Sequence, residues 1–210
     1  MARTRSSEAH EKVIHAALAL FSEHGIEATS MDAIARSSGV SKATIYNHWA
    51  DRDALLMEVM LYVSGANREP EDVDTGDLCR DLAAVLSRRP PGELEAARVR
   101  ITPMLMAYAA VHREFGAAWR HRMMEPGRNA LKRILNRGIE RGQLPANLDP
   151  EISIALLMGP MLYRHVMGKD AVSKLEDIGS QVAQAFCGAH LIKGAVSTPM
   201  TKKQQRSARG

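Results

Sequence analysis

The residues best suited to chemistry stand together between positions 41 and 48: Ser41, Lys42, Ala43, Thr44, Tyr46, Asn47 and His48. Lys42, Tyr46 and a helix N-terminus capped by Ser41 offer donors for phosphate oxygens. Asn47 can bond an adenine edge in bidentate fashion, and Thr44 or Ala43 can touch a thymine methyl. His48 fits either such a contact or a solvated helix surface. Catalytic chemistry finds no comparable cluster. G-x-S-x-G, S-x-x-K, H-E-x-x-H, a Walker loop and G-x-G-x-x-G are all absent from the chain. No two histidines lie four apart with a third ligand, so neither metal nor cofactor is expected.

Those side chains need a short helix held at a steep angle to another. Ile14, Ala17, Leu18 and Phe21 form one apolar stripe of a first helix, which His24-Gly25 ends. Ser30 caps a second helix, with Met31, Ile34 and Ala35 on one face. Ala35 is small enough for close approach, and Gly39 permits the positive φ of a tight turn. Ser41 caps the third helix, whose Ile45 and Trp49 lie four apart and face inward with Ile34 and Val40. Asp51 caps a fourth, carrying Leu55, Leu56, Val59 and Met60. Further helical segments are expected near 77–89, 93–112, 115–141, 150–168 and 173–190. No stretch alternates at period two, so the expected fold is all-α.

The 210 residues are 45% hydrophobic, enough for a sizeable core without staples. Cys79 and Cys187 match no C-x-x-C spacing and read as small buried hydrophobes in a reducing cytoplasm. Met1 to Ser7 is polar and basic, which reads as a short flexible arm and not as a secretory signal. The longest apolar run, Ile152 to Tyr163, is too short for a membrane span. A net charge of +4 invites a nucleic-acid argument, but residues 1–68 carry 7 basic against 8 acidic groups, whereas residues 193–210 carry five basic and none acidic. The global charge therefore reports the tail, and the case for DNA rests on local pattern.

That pattern resembles a known family. Thr29-Ser30-Met31-Asp32-Ala33-Ile34-Ala35, Gly39-Val40-Ser41-Lys42-Ala43-Thr44-Ile45-Tyr46-Asn47-His48-Trp49 and Arg52-Asp53-Ala54-Leu55-Leu56 together are similar to the signature of the TetR family of bacterial transcriptional regulators. The match covers about residues 10–60. Ser38, Ala43, Trp49, Ala50 and Arg52 depart from the commonest residues there, and none removes a required group. The resemblance implies a three-helix DNA-binding domain with a helix-turn-helix over 8–68, in which Ser30, Ser41, Lys42, Ala43, Thr44, Tyr46, Asn47, His48 and Arg52 meet DNA. Arg52 would keep a cation near the DNA backbone, although not in lysine's geometry.

Beyond residue 60 the resemblance is looser, resting on Arg137 to Leu144, Asp149-Pro150-Glu151 and Gly159-Pro160. It implies a helical bundle over 69–192 for dimerisation and ligand binding, while the basic and polar composition of 193–210 reads as a disordered tail. The polar stretch from Asn67 to Asp77, broken by Pro70 and Gly76, marks the boundary. Leu157, Met161, Leu175, Ile178, Val182 and Phe186 recur at helical spacing and are the expected dimer face. Met104, Tyr108, Trp119, Met123, Met158 and Tyr163 are the candidate lining of a ligand pocket, since Met adapts and Tyr and Trp add polar handles. The same residues also fit ordinary core. The basic run from Arg120 to Arg141 faces only Glu125 and Glu140 and reads as a solvated helix surface.

The expected protein is thus a cytoplasmic, homodimeric repressor of a palindromic double-stranded DNA operator, released by a small-molecule effector and not associated with membrane. A nonspecific architectural DNA binder acting through the tail is the alternative, and an enzyme on a helical bundle comes last.

Overall fold

The computed structural model describes residues 2–65, 72–88, 92–167 and 178–192, with the side chains among them except those of 2–6, 93 and 164–167. Leu175 and the tail 193–210 lie outside the described residues. Within them every regular element is helical: α1 (Ala2–His24), α2 (Met31–Ser38), α3 (Lys42–His48), α4 (Arg52–Ser64), α5 (Leu78–Leu86), α6 (Glu95–Val111), α7 (Arg113–Trp119), α8 (Glu125–Glu140), α9 (Pro150–Met167) and α10 (Ile178–His190). A 3-10 turn spans Gly92–Leu94, and a π turn spans Arg120–Met124.

Two boundaries differ from the sequence expectation. The basic arm is not a separate segment: α1 runs from Ala2, because no Gly or Pro interrupts good helix formers there. The expected helix 115–141 is divided into α7, the π turn and α8. Pro126 lies in the first turn of α8, where its missing N–H leaves no intrahelical bond unmade.

The chain packs as two units. In the first, α1–α4 share a core with α6 and α7. The α1 stripe of Ile14, Ala17, Leu18 and Phe21 is buried there with Ile34, Ile45, Leu55, Leu56 and Val59, and α6 adds Ile101 and Leu105. Thr29, just before α2, is buried, and its hydroxyl donates to the Gly25 carbonyl at 2.8 Å. That bond fixes the connection from which α2 starts.

In the second unit, α5 packs with α8, α9 and α10 around Leu82, Leu131, Leu135, Leu157 and Phe186. The segment leading into α5 is held by charge and hydrogen bonds. Buried Asp81 accepts from the Thr75 N–H at 3.0 Å and the Thr75 hydroxyl at 2.6 Å. Arg137 reaches Asp72 at 2.9 Å, and Arg141 reaches Asp74 at 2.7 Å. The basic run of α8 is therefore not a plain solvated face. Its partners come from residues 72–74 and from Glu151 of α9, which meets Arg128 and Lys132.

Three expectations change in this unit. Leu157, Ile178 and Phe186 are buried within the protomer's own core, with Met161 and Val182 packed partly buried against it. Leu157, Ile178 and Phe186 are thus spent on the protomer's own core, because the most apolar stripe of an amphipathic helix goes there first, whereas Met161 and Val182 keep part of their surface exposed. What α9 leaves outward is a second apolar stripe, Ile152, Ala155, Leu156, Pro160 and Tyr163. The third change concerns the cysteines. Cys79 on α5 and Cys187 on α10 form a disulfide with Cα atoms 6.0 Å apart, 108 residues apart in sequence. No local spacing encodes such a pair.

Candidate nucleic-acid interface

The geometry of α2 and α3 follows from their ends. The Ser30 hydroxyl accepts from the Ala33 N–H at 3.2 Å and starts α2. Gly39 ends it at φ +68°, a left-handed conformation that turns the chain sharply. The Ser41 hydroxyl then accepts from the Thr44 N–H at 3.2 Å and lies 2.9 Å from the Thr44 hydroxyl, so both side chains are engaged in starting α3. A capped seven-residue helix results, fixed two residues after the turn.

Burial divides α3 sharply. Ile45 and Trp49 are 1% and 3% exposed, whereas Lys42, Ala43, Asn47 and His48 are exposed and Tyr46 is half exposed. A tyrosine ring left half in solvent beside an amide, an ammonium and an imidazole is a polar reading surface on a rigid support. Lys42 Nζ rests 2.6 Å from Asp32 at the start of α2, an exposed pair that a phosphate can replace at small cost.

The support behind α3 is a network that sequence periodicity does not show. The Trp49 indole N–H donates to Glu58 Oε2, and His10 Nε2 lies 2.6 Å from the other carboxylate oxygen. His10 also stacks on the Trp49 ring at 5.0 Å between centroids. One carboxylate of α4 thereby ties the end of α3 to α1. A cleft of about 490 Å³ opens beside this network, lined by His10, His15, His48, Trp49, Glu58 and Tyr62 among others.

Arg52, expected to keep a cation near the DNA backbone, also makes contacts within the protomer. Its guanidinium donates to the Tyr108 hydroxyl at 2.9 Å and to the Glu27 carbonyl at 3.1 Å. The Tyr108 hydroxyl in turn donates to Asp53 Oδ1 at 2.7 Å. Burial first, and then that bond to Asp53, hold the Tyr108 phenol above its ordinary pKa, so it stays a neutral donor. His112 stacks on Tyr108 at 3.9 Å and reaches Glu27 at 3.3 Å. Sequence reasoning missed Glu27 and the joining of Asp53 and His112 into this network, since the contacts from Glu27 and Asp53 link residues 25 to 85 positions apart.

The six candidate pocket residues fall in different surroundings. Tyr108 belongs to the network just described and lines a cleft of about 530 Å³ with Glu27, Ser30, Arg52 and His112. Met104 and Tyr163 are exposed, Trp119 and Met123 pack against the core of the first unit, and Met158 packs against that of the second. The indole N–H of Trp119 is buried without an acceptor. Among the described residues no cluster of side chains could hold a metal ion, and no helix is long and apolar enough to cross a membrane.

A capped helix, a left-handed glycine turn and a second helix that exposes Lys42, Tyr46, Asn47 and His48 form a helix-turn-helix. Comparison with known proteins places it. Residues 13–59 match the tetR family of bacterial regulatory proteins, and residues 72–176 match the tetracyclin repressor-like C-terminal domain. The chain belongs to the TetR family.

It is 33% identical over 174 residues to YdeS, an HTH-type transcriptional regulator of Bacillus subtilis, covering 81% of this chain and 85% of the relative. A TetR transcription regulator from Haloarcula marismortui shares the fold with a TM-score of 0.67 at 22% identity, covering 89% of this chain and all of that one. SmeT, solved in complex with triclosan, matches with a TM-score of 0.63 at 18% identity over 92% of this chain and 96% of its own. This TetR-family chain is accordingly a DNA-binding regulator of transcription and not an enzyme.

Proposed function

We propose that the chain is a cytoplasmic homodimeric repressor that reads a palindromic operator through α3 and is released by a small-molecule effector. The observation that carries the reading surface is the exposure of Tyr46, Asn47 and His48 on a helix pinned from behind by Ile45 and Trp49. Lys42 and Tyr46 hold phosphates, and Asn47 reads one base in each half-site. Ser41 and Thr44 act chiefly by capping α3. Arg52 acts through Tyr108 and Asp53, positioning α4 behind the reading helix.

The dimer surface is the outward stripe of α9, with Ile152, Leu156 and Tyr163 exposed at 61%, 54% and 67%, joined by the exposed face of α10. Apolar side chains repeating at three and four on a helix surface suit isologous two-fold packing. An effector is supported by the Trp119 indole N–H. A buried unpaired donor costs free energy that an acceptor on a bound molecule would restore. SmeT, of the same fold, was solved as a complex with triclosan.

Sequencing the genomic fragments that the purified protein retains at physiological salt tests this reading. One palindromic motif, with half-sites about one helical turn apart or a multiple of it, is the expected result. Retention with no shared motif would overturn specific readout and favour nonspecific binding.

A further inference from the structure

Cys79 and Cys187 do not meet by accident of two side chains. Gly179, near the start of α10, lies so close to the end of α5 that a Cβ there would stand 2.7 Å from the Leu86 carbonyl carbon and 2.7 Å from the Ser87 nitrogen. The disulfide joins Cys79 to Cys187, eight residues back along α5 and eight forward along α10. Both contacts obey one antiparallel register, about 12 Å apart along the helices. Backbone packing at the glycine therefore sets the approach of α5 and α10, and the sulfurs inherit it. Reduced, the two thiols still face each other, small and apolar enough to pack beside Leu82, Phe186 and the rest of that core.

We propose that Cys79 and Cys187 are a reversible dithiol–disulfide couple that locks α10 against α5. Cys79 is the thiol that reacts first. It is partly exposed on the first turn of α5, whereas Cys187 is 4% exposed. The Cys79 thiolate attacks a hydroperoxide, the O–O bond breaks, an alcohol or water leaves, and Cys79 carries a sulfenic acid. Cys187 then attacks the Cys79 sulfur. The S–S bond forms, and the departing hydroxide takes the Cys187 proton and leaves as water. Two electrons pass from the two thiols to the peroxide. A dithiol reductant returns two electrons and two protons and is itself oxidised to a disulfide.

The consequence of the lock rests on the dimer reading above, because α10 leaves Gln181, Gln184, Ala185 and Gly188 exposed. Oxidation fixes that face in place before association, which lowers the ordering cost of dimerisation.

The full chain, reduced with dithiothreitol and then treated with hydrogen peroxide, provides the test. Alkylation under denaturing conditions is expected to label both cysteines before peroxide and neither after it, with full recovery on returning to dithiothreitol. Thermal unfolding of the oxidised form should shift upward by roughly 5–15 °C, since the bond closes a long loop. C79S and C187S should each abolish the shift while unfolding near the reduced wild-type temperature. Thiols that stay alkylatable after peroxide, bonds only between chains, or a bond that excess dithiothreitol leaves intact in the folded protein would each overturn the couple. Sedimentation of both forms separates the two readings. A dimer several-fold tighter when oxidised supports the lock on α10, and equal dimer constants overturn that consequence. A monomer in both states overturns the dimer reading but leaves the couple standing.

Discussion

Tyr108 and Arg52 meet twice: the phenol oxygen accepts from Arg52 Nη2 at 2.9 Å, and the guanidinium carbon sits 5.5 Å from the Tyr108 ring centroid. Arg52 opens α4, whereas Tyr108 lies on α6, so the pair joins the helix behind the reading surface to another helix of the first unit. Y108F removes the acceptor of Arg52 and the donor to Asp53 at a buried position. It should cost about 1–3 kcal/mol of stability and weaken operator binding. If Arg52 works through Tyr108, then R52A and Y108F will not add. A double-mutant cycle on operator affinity checks this, and strict additivity would assign Arg52 to the DNA instead.

Asn47 and Tyr46 should fail differently. N47A is expected to relax base preference at one position of each half-site by about 1–3 kcal/mol, leaving other positions unchanged. Y46A should weaken all sites alike and leave the salt dependence of binding unchanged, because a neutral phenol releases no counterion. Affinities on matched and singly substituted operators distinguish the two, and unchanged preference in N47A would sink its readout role.

Leu156 is half exposed on α9, while Leu157 beside it is fully buried. L156E should therefore leave a folded monomer with a nearly unchanged thermal transition extrapolated to low concentration. L157E should unfold the second unit outright, since a buried unpaired charge cannot be tolerated. Sedimentation and circular dichroism on the two variants test the proposed dimer face.

Two glycines separate strain from collision. A Cβ on Gly39 meets nothing within 4 Å, so G39A is strained only by φ +68° and should cost about 1 kcal/mol. A Cβ on Gly179 strikes the backbone of Leu86 and Ser87. G179A must push α10 from α5, so it should destabilise more and slow closure of the Cys79–Cys187 bond. Unfolding midpoints and the rate of thiol loss under peroxide check both.

Asp74 is held below its ordinary pKa, first by its hydrogen bond from Arg141, with burial opposing and the charges of Arg141 and Arg137 adding. A depressed carboxylate stabilises the fold fully above its unfolded value and loses that contribution as pH falls through the folded one. D74N should thus lower stability at neutral pH, by up to about 1 kcal/mol given partial solvent screening. The difference from wild type should vanish well below pH ~4, where the unfolded carboxylate titrates. Unfolding curves across that range measure it, and a difference that persists in strong acid would assign the loss to packing.

Local rules were enough for much of this protein. The caps Ser30, Ser41 and Asp51, the turn at Gly39 and the inward pair Ile45 and Trp49 all depend on residues within a few positions of one another, so spacing alone determines them. The all-helical class follows in the same way from period and composition. Tertiary structure decided what spacing cannot carry. Which of two apolar stripes on α9 is core depends on what α5, α8 and α10 bring to it, and so Leu157 turned inward and Leu156 outward. Spacing alone gives Arg52 no protein partner, and α6 supplies one in Tyr108 from 56 residues away. Cys79 and Cys187 became partners only because Gly179 lets two helices distant in sequence approach closely. Periodicity tells a residue which side of its own helix it occupies, and only packing tells it what lies on the other side.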